Sequence, residues 1–137
     1  MVKHTIEVPE LVNRWTPRLL SIFRIVAGFM FMAHGMQKWL AFPAPPSRAT
    51  TLMSLSGTAG VLELVGGALL TIGLFRRPVA FVLSGLMAFA YFIAHAPAGF
   101  WPLLNRGELA ALYAFAFLYI AAAGGGPWSV DRLLKRD

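Results

Sequence analysis

The chain contains no cysteine. Disulfides, thiol redox chemistry, iron–sulfur clusters and cysteine-ligated zinc are therefore outside its chemistry. Charge is scarce as well: 13% of residues are charged, where a soluble domain has about a quarter. Acids are the rarer sign, six Asp and Glu against twelve Lys and Arg. No period of ~20–50 residues recurs, which excludes a solenoid or propeller. Met1–Arg18 is too long and too acidic for the basic start of a signal peptide, and no small-residue cleavage site follows the first apolar block. What the chain does have is apolar length. Of its 137 residues, 58% are hydrophobic, mean hydropathy is +0.65, and the apolar residues come in long blocks. This composition predicts one all-α integral membrane domain in contact with lipid. The net charge of +6 would suit nucleic acid, but the basic residues stand at segment ends and read as topology signals. No nucleic-acid partner is expected.

Punctuation by proline and glycine divides the chain into four predicted spans. Residues 1–16 form a polar tail, cytoplasmic or lying on the membrane surface with Trp15 at the interface. The first helix is expected over residues 17–42, with Pro17 in its first turn. The proline-rich loop FPAPPSRATT ends it. The second covers residues 54–75, long enough to cross a ~30 Å hydrocarbon layer at 1.5 Å per residue. The third follows the basic turn Arg76-Arg77-Pro78 and covers 78–96. The fourth covers 106–123, with Asn105 and Glu108 in the Ncap and N3 positions of a capping box. Gly124–Gly126 and Pro127 stop it. Residues 125–137 form a basic tail able to make one or two amphipathic turns at the surface, Ser129 serving as their cap. Four spans put both termini on one side. The termini and the Arg76-Arg77 turn hold eight Lys and Arg, the other two loops three, and Arg24 stands within a span. The positive-inside rule then places both termini in the cytoplasm.

Polar residues inside the spans carry the chemistry. Glu63 stands near the middle of the second span and needs a partner or a proton there, since a lone carboxylate costs roughly 2–4 kcal/mol at such a depth. Counting along the helices from their cytoplasmic ends puts Glu63 ~20 Å up, His34 and His95 ~25 Å up, and Arg24 only ~9 Å up. Lys38 and Glu108 fall in the same outer half as Glu63. A direct Arg24–Glu63 pair is not favoured by this count. Ser56, Gly60, Glu63 and Gly67 share a stripe of small residues, so Glu63 faces protein and not lipid. Arg24, Gly28, Phe31, Gly35 and Lys38 share a face of the first helix, and Ser84, Ala88, Tyr91 and His95 one of the third. Two readings stay open for each group. Glu63 is a structural ion-pair anchor or a proton- or ligand-handling acid. His34 and His95 are interfacial caps or site residues. Lys38 snorkels to headgroups or touches a ligand, and Arg24 holds carbonyls or phosphates at the inner side.

HGMQK (His34–Lys38) after an early arginine, GVLELVGGALLTIGLFRRPVA (Gly60–Ala80), the histidine of the third span, NRGE (Asn105–Glu108) and GGGPWSVDRLL (Gly124–Leu134) together resemble the DoxX family of small bacterial membrane proteins. The likeness covers about residues 18–134. It implies a four-helix inner-membrane protein linked to membrane oxidoreductases, quinone and oxidative-stress defence. It carries Arg24, His34, Lys38, Glu63, His95, Asn105 and Glu108 over as motif positions. Four functions then compete. In a redox-linked subunit, His34, His95 or Lys38 donates to a quinone while Glu63 and Glu108 move protons, with Arg24 and Asn105 as further binding candidates. In a metal or haem protein, His34 and His95 ligate haem or join Glu63 and Glu108 around a divalent ion. A small proton-coupled transporter would use Glu63. A non-catalytic scaffold would recruit a soluble partner through Arg76, Arg77 and the tail. An oxidoreductase partner and a homo-oligomer are both open.

Overall fold

The computed structural model describes residues 8–136. Residues 1–7, the start of the expected tail, lie outside them. Among the described residues every regular element is helical. Helix α1 runs Val8–Leu40, α2 Leu55–Ile72 and α3 Arg76–Ala90; α3 continues through a π turn, Tyr91–His95, and a 3-10 turn, Ala96–Ala98. Short α4 is Pro102–Asn105, α5 Glu108–Ala123 and α6 Val130–Leu133. Three stretches are long and apolar enough to cross a membrane: Val8–Leu40, Leu55–Ile72 and Arg76–Ala98. Helix α5 is equally apolar in kind but has 16 residues. Large apolar side chains such as Phe29, Phe81, Phe92, Leu112 and Phe115 are exposed around the bundle, the inside-out pattern of a protein solvated by lipid.

Two helix pairs build the bundle. Helix α1 packs on α2, α3 packs on α5, and the pairs meet mainly through α2 and α3. Glycines set the first contact. A Cβ on Gly35 would stand 2.4 Å from Leu64 N, and one on Gly67 2.7 Å from the Met32 backbone. The two backbones therefore touch, the close approach that small residues permit between helices in lipid. Aromatic rings fill the centre instead. Phe31 of α1 meets Tyr113 and Phe117 of α5 edge-on at centroid distances of 5.1 and 4.9 Å, near the favoured T-shaped geometry.

Several expected boundaries shift. Pro17 lies inside α1 and does not open it. The proline removes the backbone bond to Asn13, but residues 8–17 are exposed, so the freed carbonyl is accessible to solvent or headgroups. Helix α2 keeps its expected start, with Ser54 as Ncap accepting from Gly57 N at 3.0 Å, and stops at Gly73, whose φ of 76° suits glycine. Ser56 is exposed; Gly57 and Gly66 join Gly60, Glu63 and Gly67 on the buried face in its place. The capping box at Asn105–Glu108 does not form. Asn105 ends α4, Arg106 adopts φ 61°, and Asn105 Oδ1 accepts from Gly107 N at 2.8 Å. Glu108 is thus the first residue of α5, and Gly107 caps it without a side chain.

The tail after α5 is also not a surface appendage. Gly124, at φ 85°, stops α5 as expected, and the chain then folds back under the bundle. Ser129 caps α6 by accepting from Arg132 N at 3.3 Å, yet Ser129 and Asp131 are buried. Asp131 reaches across to the start of α3, where Phe75 sits at φ 50° without a side-chain cap of its own. The Asp131 carboxylate accepts from Phe75 N at 2.8 Å and Arg76 N at 2.9 Å. It serves as an Ncap supplied from 55 residues away in sequence.

Candidate functional site

The sequence-predicted polar residues divide between the two ends of the bundle. At the lower end, beside the α2–α3 turn, Arg24 is fully buried and donates to the Trp128 carbonyl. Arg76 donates to Ser129 Oγ, and Ser21 Oγ accepts from Trp128 N at 3.1 Å. Arg77 donates to the carbonyls of Ala121 and Ala122 at the end of α5, a favourable place for a cation. Arg24 thus holds a carbonyl, as one of its readings anticipated, and takes no part in the Glu63 site. Arg76 is turned inward and Arg77 is engaged on α5, while Arg132, Lys135 and Arg136 of the basic tail remain exposed.

At the upper end, Glu63 is buried at 5% exposure and paired with Lys38. The ammonium lies 2.8 Å from both carboxylate oxygens, in hydrogen-bonding geometry to Oε1. The sequence places this pair. Gly60 stands one turn before Glu63, and a Cβ there would come within 2.9 Å of Lys38 Cδ and Trp39 Nε1. Absence of that carbon lets the lysine stem cross α2 and turn inward to the acid, where headgroup snorkelling had been the alternative. Trp39 Nε1 donates to Gly57 O at 3.3 Å and fixes the end of α1 beside the pair.

Glu63 Oε2 is buried and its charge is met by the Lys38 ammonium alone. Glu63 lines a cleft of about 260 Å³ with His34, His95, Arg106 and Tyr113 among apolar neighbours. The Tyr113 hydroxyl is buried without a partner. Such groups are few in folded proteins, and each is expected to meet water, an ion or a ligand. His34 leans edge-on against Tyr113 at 6.3 Å and against Phe31 at 6.5 Å. His95 is held at the end of the π turn by contact of Nδ1 with Asn105 O at 3.1 Å. Asn105 Nδ2 donates to Gly99 O at 2.8 Å and Tyr91 Oη at 3.2 Å, so Asn105 braces the loop that carries His95. The π turn shifts the side-chain register by one residue relative to an α-helix, a distortion found often at functional sites.

Of the expected residues, the cleft brings together His34, Glu63 and His95. Lys38 stands behind Glu63, Asn105 supports His95, and neither Glu108 nor Arg24 lines the cleft. Among the described residues no group of three or more His, Asp and Glu is placed to hold a metal ion. Arg106 and Tyr113 are additions. Arg106 had counted only as a loop charge. Tyr113, in an apolar helix, had no sequence signal to separate it from packing aromatics.

The arrangement, a buried Lys–Glu pair with one histidine on α1 and another on the third span, lies largely within the stretch that comparison with known families picks out. The family profile described as DoxX matches residues 19–96. The chain belongs to the DoxX family. That match takes in Arg24, His34, Lys38, Glu63 and His95 and ends before Arg106 and Tyr113. The DoxX chain is 40% identical over 125 residues to an uncharacterized protein of Haemophilus influenzae, covering 88% of this chain and 93% of that one. It is 25% identical over 145 residues to an uncharacterized membrane protein of Mycobacterium tuberculosis, covering 93% and 88% respectively. No solved structure matches the DoxX chain.

Proposed function

We propose that this chain is a four-span protein of the bacterial inner membrane, both termini cytoplasmic, that binds a quinone headgroup in the upper cleft as a subunit of a membrane oxidoreductase system. The observation that carries the reading is one cleft lined both by the Lys38-paired Glu63 and by Tyr113, whose buried hydroxyl has no hydrogen-bond partner. A quinone carbonyl accepts hydrogen bonds, and its reduced hydroxyl donates one. Tyr113, His34 and His95 supply donors, and Glu63 supplies an acceptor. Reduction of a quinone takes up two electrons and two protons. In this reading the electrons come from a partner oxidoreductase, and Glu63 with its histidine neighbours passes the protons. Lys38 holds the Glu63 carboxylate in place. The eight-to-three distribution of basic residues supports the orientation, with α5 as the fourth span.

The test is purification from native-like membranes in mild detergent, followed by mass spectrometry of bound quinones. Stoichiometric quinone in the wild type, lost in Glu63→Gln and Tyr113→Phe but retained in Glu108→Gln, is the expected result. A quinone-free wild-type protein that also fails to bind added quinone overturns the reading.

A further inference from the structure

The bundle has three apolar grooves on its lipid-facing surface. One lies between α3 and α5 and is lined by Ala88, Phe92 and Phe115; one lies between α2 and α3, lined by Val61, Val65 and Val82. The third, about 380 Å³, lies between α1 and α5 and is lined by Phe23, Met30, Leu112, Ala116 and Tyr119. Its origin is steric. Helices α1 and α5 touch sparingly, because the rings of Phe31, Tyr113 and Phe117 stand between them. Among the described residues this is the groove that adjoins the polar cleft: Leu109 and Tyr113 line both, and the other two grooves share no lining residue with the cleft. From Leu109 to Tyr119 it follows α5 for roughly 15 Å.

We infer that the α1–α5 groove holds the isoprenoid chain of the quinone and is the lateral route by which the headgroup enters from the bilayer. The inference rests on the quinone reading of the cleft and adds the path and the chain site. Lipid tails already solvate an isoprenoid chain, so the groove gains little by apolarity alone. Its contribution is connection. A headgroup whose polar atoms answer Glu63 Oε2 and Tyr113 Oη leaves its chain at Leu109, where the groove begins. The combined space matches ligand pockets of ~300–1,000 Å³. The chain then runs along α1 and α5 away from the Lys38 end.

The experiment uses the full-length protein in lipid nanodiscs with two probes: a long-chain isoprenoid quinone carrying a diazirine in its chain, and the chainless dimethoxy-methylbenzoquinone as competitor. Photolabelling is expected at Phe23, Met30, Leu112 or Ala116, and the competitor should suppress it. Ala116→Phe should reduce that labelling about tenfold while the chainless quinone binds as before. Val82→Phe, in the α2–α3 groove, should leave labelling unchanged and reports on folding. Labelling concentrated in either other groove, or unaltered by Ala116→Phe, overturns the chain site and leaves the headgroup site standing. Failure of the chainless quinone to bind the wild type overturns both.

Discussion

Lys38 and Glu63 are the residues on which the upper site turns, and their energetics follow from burial. Two opposite charges taken out of water recover their desolvation only through each other. Removing one leaves the other uncompensated, at a cost of about 3–5 kcal/mol. Lys38→Met should therefore destabilise the protein by about that amount in thermal or denaturant unfolding in detergent. Lys38→Met combined with Glu63→Leu should recover most of the loss, because no buried charge is left. Additive losses in the double variant would show that the two side chains do not act as a pair. Glu63 was legible in the sequence for a simple reason: one carboxylate in 22 apolar residues must find a partner. The count of helical rise spoke against Arg24 as that partner, but the pairing with Lys38 was not legible, because a lysine near a helix end reads as snorkelling. Tyr113 was not legible. A tyrosine among Phe, Leu and Ala looks like packing, and only the tertiary arrangement leaves its hydroxyl buried without a partner. The role of Asp131 was not legible either. One acid among basic tail residues looks solvated, and the left-handed backbone at Phe75 that requires its carboxylate is invisible in sequence.

At the scale of helices, the small residues of α1 and α2 determine how closely Lys38 approaches Glu63. Where α1 meets α2, Gly35 is the tightest position, with Leu64 N, Gly60 O and Leu64 Cα all within 2.7 Å of where a Cβ would stand. These neighbours are backbone atoms and cannot rotate away. Gly35→Ala should force α1 and α2 apart and cost about 1–3 kcal/mol, the usual penalty of overpacking. Gly85→Ala, where a Cβ would meet nothing within 4 Å, should be neutral or slightly stabilising through helix propensity. Equal thermal stabilities of the two variants would contradict the close α1–α2 contact. The helices were readable because their periodicity and stops are local. Ser54 and Gly124 punctuate the chain as serine and glycine do elsewhere, whereas the stop at Gly73 falls inside the expected second span. The errors came where a local signal was outcompeted. Asn-Arg-Gly-Glu has the spacing of a capping box, but Pro102 starts a helical turn that uses Asn105 as its end. Asn105 then spends its side chain on Gly107, Gly99 and Tyr91, which positions His95 more directly than a helix cap would.

For the molecule as a whole, the two ends of the bundle have different tasks. The lower end is closed by interactions between distant segments. Arg24 and Ser21 of α1, the α2–α3 turn and the chain from Gly125 to Asp131 interlock there, and a Cβ on Gly125 would meet both Arg24 Cδ and Arg76 Cδ at 2.7 Å. The upper end keeps a cleft lined by Glu63, His34, His95 and Tyr113. This asymmetry gives the proposed orientation a direct test, and the lack of cysteine makes it clean, since any introduced thiol is unique. Met53, 96% exposed in the loop between α1 and α2, and Leu133, 82% exposed in α6, mark opposite ends. With cytoplasmic termini, a membrane-impermeant maleimide should label Met53→Cys in cells whose outer membrane alone is permeable. Leu133→Cys should react only after the inner membrane is opened. The reverse pattern would put the Glu63 cleft on the cytoplasmic side, so that protons reaching it would come from the cytoplasm. Labelling of both sites from one side would mean an even number of crossings between them and the loss of α2, α3 or α5 as a span. Because the closed end carries Arg24, Arg76 and Arg77 and the open end Glu63, the expected pattern sets the arginine-rich lock where anionic headgroups and the positive-inside bias favour it. The cleft then opens toward the outer half of the bilayer, within reach of a quinone diffusing there.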